Sequence, residues 1–197
     1  LVLAQNNHEL RATGGFVTAI GRITLADGKI IGLDFVDSYD PLLSNVDQSL
    51  PTAPPPVQKY MQIEYMLLRD VNWSPDFPTT AQLARTIYSQ QTGYTVDGVI
   101  AVDLHAVEAF VSALEPLTLP GYDAVLTSAT VIEQIKQMWA APLTSEATLA
   151  GGDKDWWQQR KDFIPLLAKA AVGRLQQGTF NKLRMVSALE AALDERG

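Results

Sequence analysis

The chain has no cysteine, which excludes disulfides, thiolate metal centres and a cysteine nucleophile and leaves the redox character of its compartment unreadable from thiols. Histidine is nearly absent too: His8 and His105 stand far apart, and no His-Glu-x-x-His pair exists for zinc. The phosphate loop Gly-x-x-x-x-Gly-Lys-Ser/Thr, the dinucleotide fingerprint Gly-x-Gly-x-x-Gly and the nucleophile elbow Gly-x-Ser-x-Gly are missing. Basic residues are few, 15 against 22 acidic, for a formal net charge of −7 and a pI near 4.7; a broad nucleic-acid surface is therefore not expected. No apolar run approaches the ~20 residues of a membrane-spanning helix, and no signal peptide is visible.

What remains is a globular chain of 197 residues, 47% hydrophobic and 19% charged, long enough for one domain with a full core. It starts at Leu1 in a strand-like run without an initiator methionine. We therefore expect a single domain, 1–197, cut from a longer protein whose targeting or anchoring segment lies upstream.

The densest polar cluster lies near the start, from Gln5, Asn6, Asn7 and His8 through Arg11 and Thr13 to Gly14, Gly15 and Phe16. Apolar runs that read as strands flank it. Paired glycines permit a sharp bend or a close approach, and Arg11 with the asparagines supplies donors suited to oxyanions. The competing use is a wide loop whose polar side chains satisfy one another.

Beyond it, Val17, Ala19, Ile23 and Leu25 alternate with Thr18, Arg22 and Thr24, as in a half-buried strand. Asp27-Gly28 marks a hairpin into a second strand over 29–36, which ends at Asp37 to Pro41 with carboxylates at its tip. A proline-rich crossing, 51–56, leads to a short helix using Val57, Tyr60, Met61 and Tyr65. A second polar loop, Arg69 to Pro78, precedes a helix capped at Thr79 or Thr80, with Leu83, Ala84, Ile87 and Tyr88 inward and Gly93 beyond its end. A strand over 96–102, a helix after Asp103, an edge strand over 117–119 and a helix from Ser128 follow. A small-residue loop, expected to be mobile, spans Ala141 to Gly152. The helix after it, about 155–177, is interrupted or kinked at Pro165. The last helix is capped at Thr179 and buries Phe180, Leu183, Val186, Leu189 and Leu193. Strands interleaved with helices predict the α/β class, a mixed central sheet with helices on both faces.

Arg160, near Trp156 and Trp157, sits at the edge of its helix's apolar stripe and wants an anionic partner: a bound anion, or a structural ion pair with Asp40 or Asp70. His105 reads as an exposed helix residue. Asn72-Trp73-Ser74, followed by Pro75, is a weak glycosylation signal.

Three long motifs, Leu3 to Phe16, Leu68 to Pro78 and Gln91 to Asp103, resemble the bacterial domain of unknown function 4012. With the Arg160-Lys161 helix the likeness extends over nearly the whole chain. More remotely the order is similar to the LytR-CpsA-Psr family, envelope enzymes that transfer polyprenyl-pyrophosphate-linked glycopolymers to the cell wall. In that likeness Arg11 matches the first arginine, Asp40 the carboxylate ending the hairpin, Val96-Asp97 the strand and Arg160 a helix arginine. Thr13 stands where a magnesium-binding Asp is expected, while Tyr39 and Trp157 replace arginines.

The resemblance implies an extracytoplasmic, envelope location and a fold like that of LytR-CpsA-Psr proteins. It also implies a phosphotransferase or pyrophosphatase on a polyprenyl-linked or cell-wall glycan, with Asp40, Arg11 and Arg160 at the reaction. Asn6, Asn7, Thr13, Arg69 and Asn72 would contact ligand, and Asp40 with Asp70 would hold Mg2+. No nucleic-acid partner is implied, and a membrane only through a segment absent from this chain. The alternative is a non-catalytic envelope module binding a glycan or protein. Lost cations and carboxylates weaken the reaction more than the fold, since a pyrophosphate with its metal needs several charges around it.

Overall fold

The computed structural model describes residues 1–123, 125–139 and 153–194; the side chains of 139, 153–161 and 192–194 lie outside it, as does the loop expected between Ala141 and Gly152. The contacts of the chain group into two compact units, Leu1–Thr24 with Asp34–Asp103 and Leu25–Leu33 with Leu104–Gly197. Each has its own hydrophobic cluster.

A four-stranded sheet runs in the order β3-β2-β1-β4, from β1 (Val2–Asn6), β2 (Phe16–Ala26), β3 (Lys29–Asp37) and β4 (Ile100–Asp103). It is mixed: β1 is antiparallel to β2, with Leu3 opposite Ile20, and parallel to β4, with Leu3 opposite Ala101. The hairpin turns at Asp27 and Gly28, at φ 50° and 71°, a pair whose twist matches that of the strands it joins.

The half-buried alternation expected for β2 fails over its first half, where Phe16 through Gly21 are all buried. Two local devices permit this. The buried Thr18 hydroxyl donates to the Ala4 carbonyl at 3.3 Å, and Gly21 admits the Phe35 ring, whose atoms would lie 2.4 Å from an added Cβ. The strand expected over 96–102 is shorter and later, Ile100–Asp103.

In the first unit, α1 (Pro55–Met61) starts inside the proline run, since proline's fixed φ suits a first helical turn. Only Val57 is buried there; Tyr60 is exposed, and Tyr65 instead bridges to Thr52. A 3-10 turn, Leu68–Trp73, precedes α2 (Phe77–Thr92). Asp76, not Thr79 or Thr80, caps α2, its carboxylate accepting from the Thr79 amide at 2.8 Å; Gly93 ends it at φ 76°. Ala84, Ile87 and Tyr88 face the core, packed with Leu3, Val17, Leu68 and Val71.

The second unit holds α3 (Leu104–Leu114), the two-stranded β5 (Leu117–Thr118) and β6 (Val125–Leu126), α4 (Ser128–Trp139), α5 (Asp153–Gln177) and α6 (Lys182–Asp194). Leu114, Leu117, Leu126, Val131, Ile135 and Phe163 form its centre. α5 continues through Pro165 as one helix. α6 departs from expectation: Asn181, not Thr179, caps it, accepting from the Arg184 amide at 3.0 Å. The Asn181 amide in turn donates to the Ala113 carbonyl at 2.9 Å, tying the start of α6 to the end of α3. That tie sets the rotation of the helix, so Ala188 and Met185 face inward while Leu183, Val186 and Leu189 are exposed, Leu183 at 82%.

Candidate functional site

The polar cluster at the end of β1 folds into a tight loop. Asn6 closes its first turn, donating from Nδ2 to Glu9 at 2.8 Å and accepting from the His8 amide at 3.1 Å. The Phe16 amide then returns to the Glu9 carbonyl at 2.9 Å. Gly14 and Gly15 take φ of 64° and 110°, and a Cβ on Gly15 would lie 2.0 Å from the Asn6 carbonyl oxygen. Both positive φ and absent space demand glycine there.

Asn72, in the 3-10 turn, fastens this loop from the other side. Its Nδ2 donates to the carbonyls of Thr13 at 2.7 Å and Gly15 at 2.6 Å, which fixes the amide's orientation, since the oxygen could not face two acceptors. Gln5 adds a third side-chain bond to the loop, its Nε2 donating to the Thr13 carbonyl at 3.2 Å. Several polar atoms here stay buried without partners among the described residues: Gln5 Oε1, Asn7 Oδ1, Arg11 Nε, Thr13 Oγ1, Ser38 Oγ and Asn72 Oδ1. Buried polar groups normally find a partner, so the loop concentrates polar capacity that the described side chains leave unused.

Charge is arranged around two aromatic rings. The Arg11 guanidinium lies over Phe16 at 4.8 Å, Phe16 meets Tyr39 at 6.2 Å, and Arg69 lies over Tyr39 at 4.6 Å. Arg69 also donates to the Ser44 hydroxyl at 3.2 Å, and its Nε sits 3.8 Å from the Asp70 carboxylate, beyond a hydrogen bond. Asp70 is buried, and burial raises its pKa above the usual range, against the opposing pull of Arg69 and Arg11. Two guanidiniums therefore share one reluctant carboxylate, leaving the cluster net positive.

Of the residues expected at a site, Arg11, Thr13, Arg69, Asp70 and Asn72 come together here, with Asn7 half-buried at the loop's start. Asn6 is engaged within its own turn. Asp40 accepts from the Leu42 amide at 2.9 Å and lines a separate hollow. The Arg160 side chain, with those of Lys161, Trp156 and Trp157, lies outside the described residues. His105 is exposed, as expected, and so is His8. Gln5 and Phe16, which bound the polar cluster, were not named as ligand contacts, nor were Ser38 and Tyr39, which follow β3 and whose place beside the loop no local pattern encodes.

The sequence profile of the family described as "Protein of unknown function (DUF4012)" matches residues 1–138. The chain belongs to the DUF4012 family. No curated protein and no solved structure matches it. The matched DUF4012 region contains the whole loop, the 3-10 turn and the aromatic pair.

As a magnesium site the DUF4012 cluster is a poor fit. Asp70 is under the influence of two guanidiniums that repel a divalent cation, and Asp40 lines a different hollow. Among the described residues no group of three or more acidic or histidine side chains is placed to hold a metal. The donor set suits an anion better.

Proposed function

We propose that this DUF4012 domain binds a phosphate-bearing ligand of the cell envelope, a pyrophosphate or a polyprenyl-phosphate-linked glycan, with Arg11 and Arg69 gripping the anion. One observation carries the reading: two guanidiniums, each over one ring of the tilted pair Phe16 and Tyr39 and beside a glycine-hinged loop, act on a single buried carboxylate. Guanidiniums recognise phosphate through paired charged hydrogen bonds, and aromatic support fixes their orientation before the ligand arrives. Binding is supported better than transfer, since Asp70 lies under the influence of two guanidiniums and Asp40 lines a different hollow. The envelope location and the likeness to LytR-CpsA-Psr proteins belong to this proposal. No helix among the described residues is long and apolar enough to cross a membrane.

The test is titration of the chain with inorganic pyrophosphate and with a short polyprenyl phosphate, with and without Mg2+. Saturable binding that weakens with salt is expected, reduced about tenfold or more by Arg11→Ala or Arg69→Ala. Absence of binding at millimolar ligand overturns the reading. The second reading, a non-catalytic module for a glycan or protein partner, draws on the exposed Leu183, Val186 and Leu189 of α6.

A further inference from the structure

A separate hollow of about 280 Å³ lies within the first unit, between the hairpin strands β2 and β3, the segment that follows them and the end of α2. Its apolar lining is Ile20, Val36, Leu42 and Leu43; its charged lining is Arg22, Asp34 and Asp40, beside the aromatic Tyr88 and Tyr94. Arg22 is already used. Its Nη2 donates to Asp34 at 3.0 Å, and its guanidinium lies 4.5 Å from the centre of the Tyr94 ring. Asp40 has no such counterpart: one oxygen accepts from the Leu42 amide at 2.9 Å, and no cation pairs with it among the described residues. One cation against two carboxylates leaves this lining with a single net negative charge.

We infer that the hollow binds a small amphipathic monocation, an organic ammonium ion whose apolar body covers the leucines and whose charge meets Asp40. Alternatives by charge and hydration fit less well. An anion meets two carboxylates. A neutral apolar molecule would strip water from Asp40 without compensating it. A hydrated inorganic cation needs more oxygen ligands than Asp34 and Asp40 present, and gains nothing from the apolar lining. An ammonium ion with an apolar body uses both parts, the carboxylate of Asp40 and the apolar lining. The volume sits just below the roughly 300–1,000 Å³ of drug-sized sites, so the ligand is small. This site is independent of the anion cluster at Arg11 and Arg69.

The experiment compares three probes of one shape on the 197-residue chain: 2-phenylethylamine, 2-phenylethanol and 3-phenylpropionate, followed by NMR at the Leu42 and Leu43 methyls and the Tyr94 ring. The amine is expected to bind saturably, with the alcohol and the acid weaker by about tenfold or more. Asp40→Asn keeps an oxygen for the Leu42 amide, so it should preserve the turn while bringing the amine down to the alcohol's affinity. Equal binding of amine and alcohol, shifts confined to other residues, or undiminished amine binding in Asp40→Asn each overturn the proposal. Should Asp40→Asn melt early, the three-probe comparison on the unmodified chain decides alone.

Discussion

Asn72 donates to the carbonyl of Gly15 at 2.6 Å, joining residues 57 positions apart, and the same amide nitrogen holds Thr13 at 2.7 Å. This side chain is the physical link between the two polar loops of the chain. The loop is thereby fixed in place while Arg11 projects from it toward the Phe16 ring.

Removing that link should be costly. Asn72→Ala strands the Gly15 carbonyl, while that of Thr13 keeps the Gln5 amide and the Gly15 N–H, so an expected loss of about 1–3 kcal/mol follows from the penalty on an unpaired buried group. Urea unfolding measures it. A loss below about 0.5 kcal/mol would mean that the loop re-pairs without Asn72.

Glycine replacements should separate by available space. Gly15→Ala combines φ 110° with a Cβ 2.0 Å from a backbone oxygen, and about 2–4 kcal/mol is expected. Gly28→Ala, at φ 71° in open space, should cost only about 1–2 kcal/mol. Thermal melts of the two variants check the order, and the reverse order would contradict the loop geometry.

Asp70 gives stability a pH dependence with a definite sign. Burial raises its pKa above the usual 3.8 while Arg69 and Arg11 pull it down. The folded chain therefore holds this proton more tightly than the unfolded chain, and Asp70 favours folding at low pH. Its contribution declines as pH rises from about 3.8 through the raised folded value, then levels off. Asp70→Asn should flatten that decline, as denaturation midpoints from about pH 4 to 7 would reveal. An unchanged slope would remove Asp70 from the account.

The outer face of α6 should tolerate change. Leu183 is 82% exposed, whereas Ile135 is fully buried. Leu183→Ser is expected to cost less than about 0.5 kcal/mol, and Ile135→Ala about 2–5 kcal/mol. Chemical denaturation of both variants tests the helix's rotation; a large loss at Leu183 would restore the burial expected for the row Phe180, Leu183, Val186 and Leu189.

Local signals in the chain account for the hairpin at Asp27-Gly28, the glycine stop of α2, the inward row Ala84, Ile87 and Tyr88, and the membership in DUF4012. Turn chemistry and helical spacing act over a few residues, so they can be read from order alone. The caps were harder. Asp76 and Asn181 displaced threonines near them because a carboxylate or amide oxygen reached the free amides first.

Composition and motif spacing were enough to establish an acidic, cysteine-free α/β chain with its chemistry gathered in polar loops, because those properties are carried by residue type and short-range pattern. Contacts across the fold settled the rest: that Arg11 and Arg69 both act on Asp70, that Asp40 belongs to another hollow, and that α6 turns Leu183 and Leu189 outward. Each depends on hydrogen bonds and packing between segments distant in the chain, and no local periodicity encodes which of them meet.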